Sequence, residues 1–189
     1  MKYILLLSLV TIFSCKRETE TIPSLPSDSL LLTAFKDIVS TKEIKEGFNT
    51  PLQKDSIFIA KRLNDTLRLS QIIALSDEKQ KIFTKNDSLY FLEQEKNIQN
   101  LSLNTTFFSV GKVFLTEERT IVKRASSAND NDFGFGYFEF SKPFISADHT
   151  KAVIQVSYYC PDCGYGIAVI FSKKDRKWVF TNEIPLWNN

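Results

Sequence analysis

Two of the chain's three cysteines sit in Cys160-Pro161-Asp162-Cys163, and the Cys-x-x-Cys spacing admits three chemistries. The pair can cycle between dithiol and disulfide. It can supply two of the four ligands of a closed zinc site. It can also close a disulfide across a turn. Redox work needs the first thiolate at a helix N-terminus, where the dipole and free N–H groups lower its pKa. Here Gly164-Tyr165-Gly166 and a β-rich run follow instead. Zinc needs two further ligands, yet His149 is the only histidine and there is no second Cys-x-x-Cys, so Asp148 or Asp162 would have to complete the site. The disulfide of Cys160 with Cys163 is the favoured reading. So small a loop contributes only about 2 kcal/mol.

The other chemistry-bearing residues are sparse. His149, in Ser-Ala-Asp-His-Thr-Lys, reads as a solvated turn residue without a catalytic partner. Glu117-Glu118 lies near Lys123 and Arg124 and reads as a charged loop. There is no phosphate-cradling glycine loop, nucleophile elbow or helical metal motif. Cys-Pro-Asp-Cys is similar to the active sites of thioredoxin-like oxidoreductases, but no βαβ pattern surrounds it. Four triplets, beginning at Asp28, Asp55, Asp65 and Asp87, match Asp-[Ser/Thr]-apolar. They resemble the O-glycosylation sequence of some Gram-negative envelope proteins, with Ser29, Ser56, Thr66 and Ser88 as acceptors. The simpler reading is helix caps and turns. Sixteen Phe, six Tyr and two Trp exceed what a core of this size needs, so Phe133, Phe135 and Tyr137 are candidate exposed anchors.

The elements that position these residues follow from periodicity. Leu31, Ala34, Phe35 and Ile38 fall on one face of a helix over Asp28 to Ser40, capped by Ser27 or Asp28. Asp55 to Leu63 reads as a strand, while strand and helix compete over Thr66 to Ile73. Phe83 to Asn97 reads as a helix capped by Thr84 or Asp87, with Leu89 and Leu92 as its apolar stripe. The last third predicts an antiparallel meander. One strand buries Ala152, Ile154, Val156 and Tyr158; the next, Ile167, Val169 and Phe171; the last, Trp178, Phe180 and Ile184. Lys173 to Arg176 makes the final turn, and Phe133 to Phe140 adds a strand that Pro143 ends.

The ends speak of location. Lys2 precedes an apolar run, Tyr3 to Phe13, that is shorter than the about 20 residues of a membrane span and reads as a secretory signal. Ile12-Phe13-Ser14-Cys15 resembles the lipobox of bacterial lipoproteins, which implies acylation of Cys15. Residues 1–14 are then the signal, 15–27 a lipidated tether with Pro23 and Pro26, and 28–189 a single domain. Lys16 after the cysteine leans towards the outer membrane, on its periplasmic or surface face. The formal charge of +2 over 189 residues, evenly scattered, offers no field for nucleic acid.

The run from Phe140 to Cys160, then Gly164 to Phe180 with a closing Trp187, resembles a family of Gram-negative envelope lipoproteins. Its marks are a Ser-x-Pro-x-Phe-like strand, a Gly/Cys turn and a Lys-Trp final hairpin. The helix Asp-Ser-Leu-Tyr-Phe-Leu-Glu-Gln (87–94) resembles the segment before it. Asp175-Arg176 stands where the family has a glycine turn. The resemblance implies fold and compartment and brings no activity. The expectation is an α+β domain, with an antiparallel sheet from the C-terminal half and N-terminal helices packed on one face. The function expected is a non-enzymatic binding module of the envelope, partnered by the membrane through its lipid and by an envelope protein. The alternatives are a periplasmic immunity or inhibitor protein, and a thiol oxidoreductase using the cysteine turn. No cofactor or metal is called for.

Overall fold

The computed structural model describes residues 23–47, 56–64, 67–79, 82–97, 99–108, 112–117, 136–160 and 164–188. The first helix, α1 (Asp28–Val39), begins where the Ser27 side chain accepts from the Leu30 N–H, and it buries Leu31, Ala34, Phe35, Ile38 and Val39. It stops at Ser40, whose N–H turns back to the Asp37 carbonyl. A short α2 (Lys42–Gly47) follows, docked by Ile44. The competition over Thr66 to Ile73 resolves as a helix, α3 (Leu69–Lys79), after the strand β1 (Ser56–Ala60). Its Leu69 and Ile72 lie one turn apart and both are buried, which alternation along a strand would not arrange.

Helix α4 (Lys85–Lys96) has the expected cap: Thr84 accepts from the Asp87 N–H, and Asp87 accepts back from the Thr84 N–H. Its expected stripe needs correction. Leu89 and Leu92 are each 43% exposed, and the helix buries Asp87, Tyr90, Phe91 and Gln94 instead. Polar residues take the inner face because backbone at Ile145 and Ala147 meets them with hydrogen bonds.

The strands β2 (Lys112–Thr116), β3 (Tyr137–Phe140), β4 (Phe144–Ile145), β5 (Lys151–Tyr159), β6 (Gly164–Lys174) and β7 (Lys177–Asn188) complete a seven-stranded sheet. Its order is β2-β1-β3-β5-β6-β7, with β4 pairing β5 beyond the end of β3. Strand β1 runs parallel to β2 and β3, and the remaining pairings are antiparallel. The meander is therefore present as expected. Its last turn is a two-residue hairpin in which Asp175 and Arg176 both take left-handed φ, 48° and 66°. That is the primed turn that suits the twist of paired strands, made here without glycine. Of the expected strand from Phe133, residues Tyr137 to Phe140 are in place, while Phe133 and Phe135 lie outside the described residues.

The fold is α+β, with the helices divided between the two faces of the sheet. On the first face α1 and α2 cover Ala152, Ile154, Val156 and Tyr158 of β5 and Val169 and Phe171 of β6. Phe35 sits at its centre, its ring edge-on to Phe140 at 5.5 Å. On the second face α3 and α4 cover Phe144, Val153, Ala168 and Ile170, with Phe91 edge-on to Phe83 at 5.0 Å. Central strands are thus buried on both sides.

Strand β7 departs from the expected face pattern. Phe180 pairs Phe171 and Asn182 pairs Ile170, so Thr181 is an extra residue, a bulge. The Thr181 hydroxyl donates to the Ile170 carbonyl at 3.0 Å across it. Beyond the bulge the alternation flips. Ile184, expected beside Trp178 and Phe180, points into the second core, and Glu183 takes the first face opposite Val169.

Candidate functional site

That flip builds the most site-like feature among the described residues. A cleft of about 50 Å³ opens on the first face between α2 and the β6–β7 ribbon. Its walls are Ile44, Phe138, Val156, Tyr165, Ile167, Val169 and Phe180, with Gly47 at the margin. Two carboxylates, Glu43 and Glu183, line it as well. Thr41 sets the position of α2: its hydroxyl and its N–H both donate to the Ile38 carbonyl at the end of α1, and Ile44 then anchors the helix. Glu43 stands next to that anchor. Glu183 is there only because of the bulge. Burial raises the pKa of Tyr165, with the neighbouring Tyr158 phenol adding to it. Its hydroxyl therefore stays protonated, and the wall stays neutral, well above neutral pH.

Neither Glu43 nor Glu183 has an ion-pair or hydrogen-bond partner among the described residues. Other glutamates differ: Glu46 pairs Lys42, Glu93 pairs Lys96, and Glu117 pairs Lys61 at 3.0 Å. The cleft therefore combines an apolar interior with two free negative charges. Its size decides what can enter. Small-molecule pockets run about 300–1,000 Å³, so this one takes a single side chain.

The opposite face carries an aromatic row at the cysteine end of the sheet. Tyr137 stacks on Tyr159 at 5.0 Å, and Tyr159 meets Trp187 at 5.3 Å. The indole lies over Gly164 and Gly166, where a Cβ at Gly166 would overlap it. Burial raises the Tyr159 pKa, and the nearby Glu139 carboxylate adds to this. Because the rings give their faces to one another and to glycine backbone, the row acts first as a clasp across β3, β5, β6 and β7. Tyr137, expected as an exposed anchor, is half-buried within it.

The cysteine turn follows directly. Cys160 is half-buried against the first core and is disulfide-bonded. Pro161, Asp162 and Cys163 lie outside the described residues, as do Cys15 and Thr66. Among the described residues no group of three or more His, Cys, Asp or Glu could hold a metal, and no helix is long and apolar enough to cross a membrane. His149 sits exposed in a turn at φ 59°, its N–H donating to the Ser146 carbonyl. Ser29 is exposed in the first turn of α1. Ser88 is half-buried and donates to the Thr84 carbonyl, and Ser56 opens β1.

One buried polar cluster escaped the sequence reading. Lys142 is fully buried, and its Nζ donates to the Gln94 and Asn97 carbonyls at 2.8 and 2.6 Å, capping the C-terminus of α4. The Gln94 amide clasps Ile145, accepting from its N–H at 3.0 Å and donating to its carbonyl at 2.7 Å. Asp87 accepts from the Ala147 N–H. At the same helix the Tyr90 hydroxyl donates to the Ser24 carbonyl at 2.7 Å, and Gln99 reaches Asp28. The cluster is a structural latch. The Gln at position 94 was its one signal, being a polar residue in line with Tyr90 at helical spacing.

The cleft's acids had no signal. Glu43 and Glu183 look like surface charges until helix and bulge bring them together. Comparison with protein-family models, with curated proteins and with solved structures returns no match.

Proposed function

We propose that this chain is a lipid-anchored envelope protein whose domain is a binding module for a protein partner. The observation that carries this is the cleft: an apolar interior sized for one anchor side chain, lined by two carboxylates without partners. Anchor residues that fill pockets dominate the energetics of protein interfaces. The lipobox-like Ile12-Phe13-Ser14-Cys15 supplies the membrane attachment through Cys15, in the manner of the Gram-negative lipoproteins that the C-terminal half resembles. The segment before α1 is held at Ser24, whose carbonyl accepts from the Tyr90 hydroxyl of α4. An oxidising envelope also suits a disulfide between Cys160 and Cys163, holding the turn that joins β5 to β6.

The test is capture of envelope proteins by the lipidated full chain, side by side with a plugged variant. A Cβ at Gly47 meets nothing within 4 Å, so Gly47→Trp adds bulk at the cleft margin without a backbone clash. The expected result is one partner retained by the native chain and lost by Gly47→Trp. Identical captures from the two chains would end the proposal.

A further inference from the structure

Resting on the binding-module reading, the geometry points to a lysine or arginine side chain of the protein partner as the occupant of the cleft. Its stem would lie against Val156, Ile167 and Val169, and its cation beside Glu43 and Glu183. Three features of the cleft converge on this.

The first is capacity. One water-sized group needs roughly 10–15 Å³ measured by a water-sized probe. A cleft of about 50 Å³ therefore holds about three to five such groups. The methylene stem of a basic side chain, three carbons in arginine and four in lysine, falls in that range. A tryptophan or tyrosine ring does not.

The second is charge. Both carboxylates stand at an apolar lining that contains no Lys, Arg or His. The cations nearest in sequence to Glu43 are Lys42, which is paired to Glu46, and Lys45; neither lines the cleft. A purely apolar anchor would cover the carboxylates and strip their water without replacing it, which is costly. An acidic anchor would be repelled. A basic side chain meets both demands, since it buries its stem and keeps its charged head at the surface. The third is the bulge at Thr181, which places Glu183 rather than Ile184 opposite Val169. Without it Glu43 would be the one carboxylate at the cleft.

The test uses methyl NMR of the full chain in detergent, following Val156, Ile167 and Val169. The probes are an alanine pentapeptide with a central lysine, the same peptide with norleucine, and n-butylammonium. The proposal expects the lysine peptide to shift these methyls and the norleucine peptide to bind about tenfold more weakly. Glu43→Gln with Glu183→Gln, both exposed positions that leave the core intact, should erase the difference between the two peptides. Equal binding of lysine and norleucine peptides overturns the basic occupant while leaving a binding module with an apolar anchor. Tighter binding of n-butylammonium than of the lysine peptide overturns the protein source in favour of a small amine. Methyls unmoved by every probe overturn the inference, whereas the binding-module reading stands or falls on the capture comparison with Gly47→Trp.

Discussion

The two faces of the sheet treat polar groups in opposite ways. On the second face the latch of Asp87, Gln94 and Lys142 is buried, and each of its members holds named backbone partners. On the first face Glu43 and Glu183 are exposed and have no partner among the described residues, although they border apolar surface. Burial forces the first arrangement, because a buried polar group without a partner costs about 1–3 kcal/mol. Exposure permits the second, because water solvates the carboxylates until something displaces it. A satisfied cluster is therefore read as structure, and an unsatisfied one beside an apolar cleft as a place for a partner.

The contrast can be broken by mutation. Gln94→Ala strips Ile145 of both its side-chain partners in the buried latch, and the expected loss is about 3 kcal/mol in urea unfolding. A loss below about 0.5 kcal/mol would mean that water replaces the amide and the latch is no more structural than the cleft. Next in size is the turn beside the latch, where Asp148 is held below the usual carboxylate range. Burial works against that, but hydrogen bonds from Ser146 and Thr150, with the Lys151 charge, outweigh it. The lowered folded pKa means its stabilisation is complete above the ordinary carboxylate value and is lost as pH falls through the folded one. Solvent screening keeps the effect to about 0.5 kcal/mol. Asp148→Asn should therefore melt lower than the native chain above roughly pH 5, and the gap should close as pH falls through the lowered folded value. Parallel melting curves across that range would remove the role assigned to its hydrogen bonds. Smallest is the cleft itself: Glu43→Gln with Glu183→Gln should change stability by less than about 0.5 kcal/mol, as surface substitutions do. A clear stabilisation would show that the two carboxylates strain the fold, which is the signature of a site; a clear loss would show hidden partners and weaken the contrast.

Legibility in the sequence followed the strength of local periodicity. Helix α1 and the β5–β6–β7 meander were readable because apolar side chains repeat at the helical and strand periods, and Ser27 and Thr84 announce caps. The stripe of α4 was misread because Leu89 and Leu92 are the hydrophobic choice by composition. Backbone at Ile145 of β4 and at Ala147 in the turn after it instead selects Gln94 and Asp87 for the inner face. The face of Ile184 was misread for a similar reason. One bulged residue reverses the side chains that follow it, as far as a second register shift at Leu186, and Thr181 is an ordinary strand residue by type. The cleft could not be read at all, since its two acids come from α2 and β7, far apart along the chain.

By itself, then, the sequence determined the α+β class, the caps of α1 and α4, the C-terminal meander and the pairing-prone spacing of Cys160 and Cys163, because each rests on interactions within a few residues. Only the tertiary structure decided that the helices divide between two faces, that Gln94 and Lys142 are buried while Leu89 and Leu92 are not, and that Glu43 meets Glu183 at one cleft. Those outcomes depend on which distant backbone groups and apolar surfaces come within reach, and that is set by strand order and register rather than by any local pattern.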